Sequence, residues 1–196
     1  GMSVNKATVE TGVKNLYLVP STLDLLGIEA TLANDENRSF KLKEAIQNML
    51  LETIKIEDNY HYIFIDCPPS LNLLTINALA ASDAVMVPLQ CEFYALEGLG
   101  QLLETVDHVR NTLNDTLIIH GIVLTMVDDR NNLSGQVEKD VREYMKNKVY
   151  QTVIPRNVRV SEAPSYGKPV LIYDHKCSGS KAYIKLASEM LNRDKD

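Results

Sequence analysis

Short apolar runs alternate with segments of helical periodicity along almost the whole sequence. Leu42, Ala45, Ile46 and Met49, for example, recur at a spacing that places one apolar stripe on a helix. Strands that alternate with helices are joined by right-handed crossovers, so that the strands of one sheet run parallel. The sequence therefore predicts an α/β fold with a doubly wound, mostly parallel sheet and helices on both faces.

The predicted elements are short and evenly distributed over the chain. Strands are expected at residues 15–19, 62–66, 84–89, 117–127 and 149–154. Helices are expected at residues 42–49, 73–81, 99–109, 137–145 and 183–191. The sequence contains no repeat, linker or low-complexity segment, so residues 1–196 are expected to form a single domain. Gly1 and Met2 are interpreted as an expression scar followed by a start.

One apolar run ends in a single acid and two prolines. Residues 62–69 read Tyr-Ile-Phe-Ile-Asp-Cys-Pro-Pro, which is typical of a strand covered on both faces and stopped by proline. The carboxyl edge of a parallel sheet is where such proteins bind ligands. Asp66 is therefore predicted at a binding edge, although an aspartate at the end of a core strand is also an ordinary feature of α/β proteins.

Further blocks follow this run in a fixed order. They are Leu74–Leu79, Gln90–Gly98, Leu124–Asp128, Ile154–Arg159, Ser161–Ser165 and Gly167–Pro169. Together with Tyr62–Leu71, the set resembles the ParA family of chromosome and plasmid partitioning ATPases, which belongs to the MinD/ParA group of SIMIBI-class P-loop NTPases. The resemblance extends from about residue 15 to about residue 192, and it implies a P-loop NTPase-like fold.

The phosphate-binding loop of that family, the Walker A run Gly-Lys-Gly-Gly-x-Gly-Lys-Thr, does not occur in the 196 residues. Backbone amides and lysines of such a loop hold the triphosphate. The resemblance therefore implies a chain that corresponds to the C-terminal three quarters of a ParA protein, without roughly 60–90 N-terminal residues and their strands. Mg-ATP is the cofactor of complete members, whereas this chain alone is expected neither to hydrolyse ATP nor to bind it tightly.

A sheet without its N-terminal strands is expected to rearrange. Exposed strand edges offer unpaired amides and apolar faces, which chains relieve by closing up or by self-pairing. We therefore expect the 62–66 and 84–89 strands to pair directly, or two copies of the chain to associate through these edges.

The resemblance assigns roles to individual residues. Asp66 corresponds to the Walker B aspartate, which holds Mg²⁺ through a water molecule. The switch that senses the γ-phosphate corresponds to Pro68, Pro69, Ser70 and Asn72. The wall of the base-binding pocket corresponds to Met126, Pro155 and Asn157. Met126 is equally compatible with a core position, and Asn157 with a turn cap. No catalytic residue is assigned.

Positive charge is concentrated in one part of the chain, although the formal net charge is −6. Residues 130–185 contain 11 Lys and Arg against 5 Asp and Glu, a net of +6. A basic surface binds the phosphate backbone by releasing counterions and needs no base contacts; the alternative is an ordinary solvated surface. The resemblance assigns DNA contacts to Arg130 and Arg159 and, less directly, to Lys146, Lys148 and Lys168.

The resemblance also implies partners and a location. They are non-specific duplex DNA, a ParB-like protein and a second copy of the chain, at the nucleoid in the cytoplasm. The mixed charge after the terminal helix does not favour membrane docking, and the three separated cysteines favour reduced thiols over a disulfide or metal site. Two alternatives remain: a module that binds DNA or a ParB-like partner without hydrolysis, and another SIMIBI-class enzyme such as a nucleotide-dependent ligase.

Overall fold

The computed structural model describes residues 2–53, 60–68, 70, 72–128 and 130–195. The chain divides into two compact units. The first comprises Gly1–Asp83 and Thr105–Leu117, and the second comprises Ala84–Glu104 and Ile118–Asp196.

Short elements and two longer helices make up the first unit. They are α1 (Val4–Ala7), β1 (Val9–Glu10), β2 (Tyr17–Leu18), α2 (Ile28–Thr31), α3 (Lys41–Thr53) and α4 (Leu73–Ala81). β1 and β2 form an antiparallel hairpin, and 3₁₀ turns occupy Leu23–Gly27 and Arg38–Phe40.

Two buried asparagines connect the segments of the first unit. Asn77 in α4 accepts from the Leu42 N–H at 3.1 Å and donates to the Arg38 carbonyl at 2.8 Å, which joins α4 to the start of α3. Asn114 donates to the carbonyls of Leu79 and Ser82 at 3.0 and 2.7 Å. Because buried polar groups are costly unless they are hydrogen-bonded, these amides favour this arrangement of segments.

The second unit contains a parallel strand pair and the helices that cover it. Its elements are β3 (Ala84–Gln90), the first part of α5 (Ala95–Thr112), β4 (Ile118–Thr125), α6 (Asn132–Met145), α7 (Val158–Glu162), α8 (Val170–Tyr173) and α9 (Ser178–Arg193). Asn131 caps α6 by accepting from the Leu133 N–H at 3.0 Å, and Asn157 caps α7 in the same way through the Arg159 N–H.

β4 is bonded on both edges. Along one edge it pairs in parallel with β3, from Ala84 opposite Ile118 to Gln90 opposite Thr125. Along the other edge the Tyr150 N–H donates to the Ile122 carbonyl at 2.9 Å, and the Ile154 N–H donates to the Leu124 carbonyl at 2.8 Å. Residues 149–155 therefore run beside β4 through two isolated bridges.

Consecutive residues of β4 enter different core clusters. Ile122 and Leu124 pack with residues of α5 and α6, whereas Val123 packs with Tyr150 and with residues of α9. Because successive strand side chains point to opposite faces, helices cover both faces of the sheet. The predicted α/β class with helices on both faces is confirmed.

The predicted strand at residues 62–66 is wrong. None of the strands that the structure describes pairs with residues 62–68, where Ile63 and Phe64 are 46% and 73% exposed. The expected pairing of this segment with residues 84–89 is also wrong, since β4 is the partner of β3 among the described strands. An apolar run becomes a strand only where a neighbouring backbone completes its hydrogen bonds.

Two other predicted strands differ from the structure in form. Residues 15–19 contribute only β2, which lies in the antiparallel hairpin and not in the parallel sheet. Residues 149–154 occupy the position of a strand beside β4 but make isolated bridges there. The five predicted helices are present as α3, α4, α5, α6 and α9; α4 has the predicted bounds, and the other four extend beyond the predicted range.

Removing a side chain from the core around β4 should destabilise the fold. We expect Leu124→Ala, at a fully buried position, to lower the free energy of unfolding by about 2–5 kcal/mol through lost burial and a residual cavity. Urea denaturation followed by circular dichroism measures this change. Leu23→Ala, at a position that is 84% exposed, is the matched control and should change it by less than about 0.5 kcal/mol; equal effects of the two would contradict the assignment of the core.

Candidate functional site

An open, polar cavity of about 390 Å³ lies where β3 and β4 end. It is lined by Cys91, Glu92, Met126, Asp128, Arg130, Asn131, Ser134 and Arg156. Cys91 directly follows β3, and Met126 directly follows β4. The cavity thus occupies the carboxyl edge of the parallel strands, where ligands bind in open α/β sheets.

Met126 has a left-handed backbone with a φ of 55°. This conformation is uncommon for a residue other than glycine, and the surrounding bonds hold it: the Val127 N–H donates to the Ile154 carbonyl at 3.2 Å, and the Arg156 N–H donates to the Val127 carbonyl at 2.9 Å. The chain leaves β4 along a fixed path, which places the side chains that follow at the cavity.

Asp128 and Arg130 form a two-bond ion pair at the cavity. Arg130 Nε and one Nη each donate to a different oxygen of Asp128, both at 2.9 Å, and the Arg130 backbone N–H adds a third bond at 3.1 Å. The hydrogen bonds from the side chain and the backbone of Arg130 lower the pKa of Asp128 to about 2. Asp128 is therefore ionised at neutral pH.

Behind this pair the lining is buried. Ser134 is 2% exposed, and its Oγ accepts a long bond of 3.4 Å from the Asp128 N–H. Burial, followed by the charge of Glu138, raises the pKa of the Cys91 thiol. A buried thiol with a raised pKa is a poor nucleophile, so Cys91 does not make this cavity a site of nucleophilic catalysis. Its polar lining is suited to binding a ligand.

Arg156 is a cavity residue that the sequence patterns did not single out. Its side chain forms no ion pair with any residue that the structure describes, and it lines the cavity with Arg130. The sequence feature that could have identified Arg156 is its place in the block Ile154–Arg159, which lies at the end of the segment beside β4.

The three predicted base-wall residues all lie near the carboxyl end of β4. Met126 lines the cavity, and Pro155 forms a bridge with Val127. Asn157 caps α7 and donates to Ser178 Oγ at 2.8 Å. The structure thus gives Asn157 a capping role, and Met126 is the only one of the three among the lining residues of this cavity.

The structure does not bring the five predicted DNA-contact residues together. Arg130 lies at the carboxyl end of β4, whereas Lys148 Nζ donates to the Ile119 carbonyl near the amino end at 3.2 Å, with Lys146 beside it. The seven residue-to-residue steps from Ile119 to Met126 span about 23 Å. Arg159 and Lys168 lie in the segment after residue 156, where Arg159 pairs with Glu162 at 2.9 Å and with Asp174 at 3.7 Å.

Asp66 and the predicted switch belong to the first unit. Asp66 and Pro68 are exposed, Pro69 lies outside the described residues, and the Ser70 carbonyl accepts from Thr75 Oγ1 at 2.6 Å. Asn72 caps α4 by accepting from the N–H groups of Leu74 and Thr75. Ser70 and Asn72 therefore hold the start of α4, and their role as a switch stays a prediction.

The described residues do not by themselves complete a magnesium site. No group of three His, Cys, Asp or Glu side chains among them is placed to hold a metal ion. Mg²⁺ is usually bound through one or two carboxylates together with water and substrate phosphates, and Asp66 offers one carboxylate.

Comparison with known proteins identifies relatives of this chain. Residues 1–119 match the sequence model of a family described as an AAA domain. The chain is 56% identical to the chromosome partitioning protein ParA of Caulobacter vibrioides over 97% of its own length and 69% of the relative. It is 52% identical to the sporulation initiation inhibitor protein Soj of Bacillus subtilis over 92% of its length and 68% of the relative.

Among solved structures, the fold is similar to cobyrinic acid a,c-diamide synthase from Mycobacterium smegmatis, crystallised with an ATP analogue and magnesium. The TM-score is 0.81 at 32% identity, and the similarity covers all of this chain and 70% of that one. The fold is therefore that of a P-loop NTPase of the MinD/ParA kind. At 56% identity to a chromosome partitioning ParA, the chain belongs to the ParA family.

Removing Arg130 should release Asp128 from its depressed pKa. We expect Arg130→Ala to raise the pKa of Asp128 from about 2 toward its ordinary value of 3.8, because the largest cause of the shift is the hydrogen bonding of the Arg130 side chain, which alanine lacks; the backbone hydrogen bond at residue 130 remains. Carboxyl-carbon NMR titration measures this pKa directly. Arg38→Ala is the control, and an unchanged Asp128 pKa in Arg130→Ala would show that the pair is absent in solution.

The same pair predicts a pH dependence of stability. Because the folded-state pKa lies below the unfolded value, Asp128 stabilises the folded chain above about pH 4 and loses that contribution as the pH falls toward about 2. The difference in unfolding free energy between the wild type and Asp128→Asn should therefore be constant above about pH 5 and shrink below it. A difference that does not change with pH would count against the pair.

Proposed function

We propose that this chain acts in chromosome or plasmid partitioning by the ParA-type mechanism of ATP-dependent dimerisation and non-specific DNA binding, of which DNA binding is the part expected of these 196 residues by themselves. The observation that carries the proposal is the 56% identity to a chromosome partitioning ParA over 97% of the chain. The 52% identity to a Soj protein over 92% of the chain supports the same assignment.

The competing enzyme assignment has weaker support. The similar synthase structure covers the whole chain but at 32% identity, well below the identity to the partitioning proteins. A shared fold hosts many activities, so the sequence identity decides between the two.

The positive side chains near the carboxyl end of β4 support DNA binding. Arg130 and Arg156 both line the polar cavity, and Arg159 follows within the first turn of α7. Guanidinium groups bind phosphate through paired hydrogen bonds, and contacts confined to phosphates carry no sequence information. We assign the DNA-contact role first to Arg130 and Arg159, with Lys168 as a further candidate later in the same basic segment.

Lys146 and Lys148 are weaker DNA-contact candidates than Arg130 and Arg159. They lie toward the amino end of β4, and Lys148 already donates to a backbone carbonyl. A duplex that contacts the carboxyl end would have to extend about 23 Å along the strand to meet them.

Nucleotide, partner and location complete the proposal. Mg-ATP is proposed as the cofactor of the ParA-type ATPase, with Asp66 as a carboxylate toward the hydrated ion, and a ParB-like protein and a second copy of the chain as partners. Nucleoid association would follow from DNA binding. No helix in the described part of the chain has the length and apolar character needed to cross a membrane.

Duplex DNA binding by this chain should be weak, independent of sequence and steeply dependent on salt. We expect Arg130→Ala and Arg159→Ala each to weaken binding equally on unrelated sequences. Arg159→Ala should also reduce the salt slope by about 0.9, because it removes about one phosphate contact. Fluorescence anisotropy with two duplexes of different sequence, measured over a range of low salt concentrations, tests this.

Arg38→Ala is the matched control, since Arg38 lies in the first unit, outside the basic segment, and contacts the Ala33 carbonyl. It should leave binding unchanged. A strong preference for one duplex, or binding that persists in about half-molar salt, would contradict a contact made through phosphates.

A further inference from the structure

The Arg130 guanidinium already holds an anion in the free chain. Asp128 presents its two carboxylate oxygens to Nε and Nη2 of Arg130 at 2.9 Å each. Arginine offers the same two parallel N–H bonds to a phosphate group. The carboxylate thus occupies the bidentate position that a DNA phosphate would take.

The two members of the pair are not equally free to move. The backbone before Asp128 is fixed by the bonds between Val127 and the segment beside β4, and the Asp128 N–H donates to Ser134 Oγ at 3.4 Å. The Asp128 side chain is 25% exposed, whereas that of Arg130 is 87% exposed. Asp128 is therefore the anchored member, and Arg130 is the one that must turn outward to contact a ligand.

The other arginines near the carboxyl end of β4 are held differently. Arg159 divides its contacts between Glu162 at 2.9 Å and Asp174 at 3.7 Å. Neither carboxylate therefore accepts two hydrogen bonds from its guanidinium group. Arg156 forms no ion pair within the described part of the chain. Of these three arginines, Arg130 alone has two guanidinium nitrogens hydrogen-bonded to one carboxylate.

We propose that Asp128 is an intramolecular competitor that restrains Arg130 from binding the phosphates of duplex DNA. The inference rests on the proposed DNA-binding function and concerns the regulation of the same site. A phosphate that takes Arg130 must displace Asp128 and leave that carboxylate beside the bound duplex. Asp128 therefore keeps the affinity low and reduces the charge gained when Arg130 contacts DNA, which favours rapid release.

The test compares two variants that remove the same single negative charge. Asp128→Asn removes the competitor, whereas Asp140→Asn removes a carboxylate further along α6 that has no described ion pair. Affinity for a mixed-sequence duplex is measured by fluorescence anisotropy from about 20 to 200 mM salt. We expect Asp128→Asn to bind about 3- to 10-fold more tightly than Asp140→Asn, because a two-bond ion pair no longer has to be broken.

The salt dependence separates competition from a purely structural effect. With Arg130 released, the slope of log affinity against log salt should become steeper by up to about 0.9, the value for one phosphate contact, because Asp128 lets Arg130 make that contact only part of the time in the wild type. A change in folding alone would not add a contact. The double variant Asp128→Asn with Arg130→Ala should bind as Arg130→Ala does, within about twofold, because Asp128 acts through Arg130. Asp128→Ser, checked by thermal melting, replaces the asparagine variant if that one does not fold.

The outcomes distinguish this inference from the function on which it rests. If the wild type binds DNA and Asp128→Asn binds no more tightly than Asp140→Asn, the competitor role is wrong and the proposed function stands. Weaker binding by Asp128→Asn would mean that Asp128 orients Arg130 for DNA, which also overturns competition. If neither the wild type nor any variant binds DNA at the lowest salt, the proposed DNA-binding function fails, and this inference fails with it.

Discussion

Backbone hydrogen bonds on both edges of β4 determine the geometry of the second unit. β3 pairs along its whole length on one side, and residues 149–155 bridge to it on the other. Ile122 and Leu124 are completely buried on one face, and Val123 is 2% exposed on the other. A shift by one residue would exchange these faces, so the register is fixed. Met126 and Asp128 follow shortly after the end of β4, so the fixed register of the strand also fixes where these residues lie.

The carboxyl end of β4 carries both positive and negative side chains. Asp128 neutralises Arg130, whereas Arg156 remains unpaired among the described residues. Counting charges along the sequence identified the basic segment but not the ion pair between Asp128 and Arg130, because a net charge does not show which side chains contact each other. The same count placed Lys148 with Arg130, although the fold separates them toward opposite ends of β4. Met126 and Arg130, which the sequence singled out for a base wall and a DNA contact, line the cavity, and those roles stay predictions; Arg156 lines the same cavity and was not singled out.

Elements whose sequence signal lies within a few neighbouring residues were predicted correctly, whereas elements that depend on a distant partner strand were predicted less well. Helices such as α3 and α5 were predicted because their apolar stripes repeat within a few residues. β3 and β4 were found as apolar runs, and both have a partner strand. Residues 62–66 have a similar composition, but no described strand pairs with them, and composition does not reveal the partner. β2 lies within the predicted strand at residues 15–19, whereas its partner β1 was missed because two residues carry no periodicity.

DNA contact at the carboxyl end of β4 is tested most directly by NMR. A ¹⁵N-labelled chain titrated with a short duplex at low salt reports which amides sense the ligand. DNA contact at this edge should give the largest shifts at residues 126–131 and 157–160, with residues 146–148 unaffected at the same DNA concentration. Shifts concentrated at residues 146–148, or spread evenly over the chain, would contradict it.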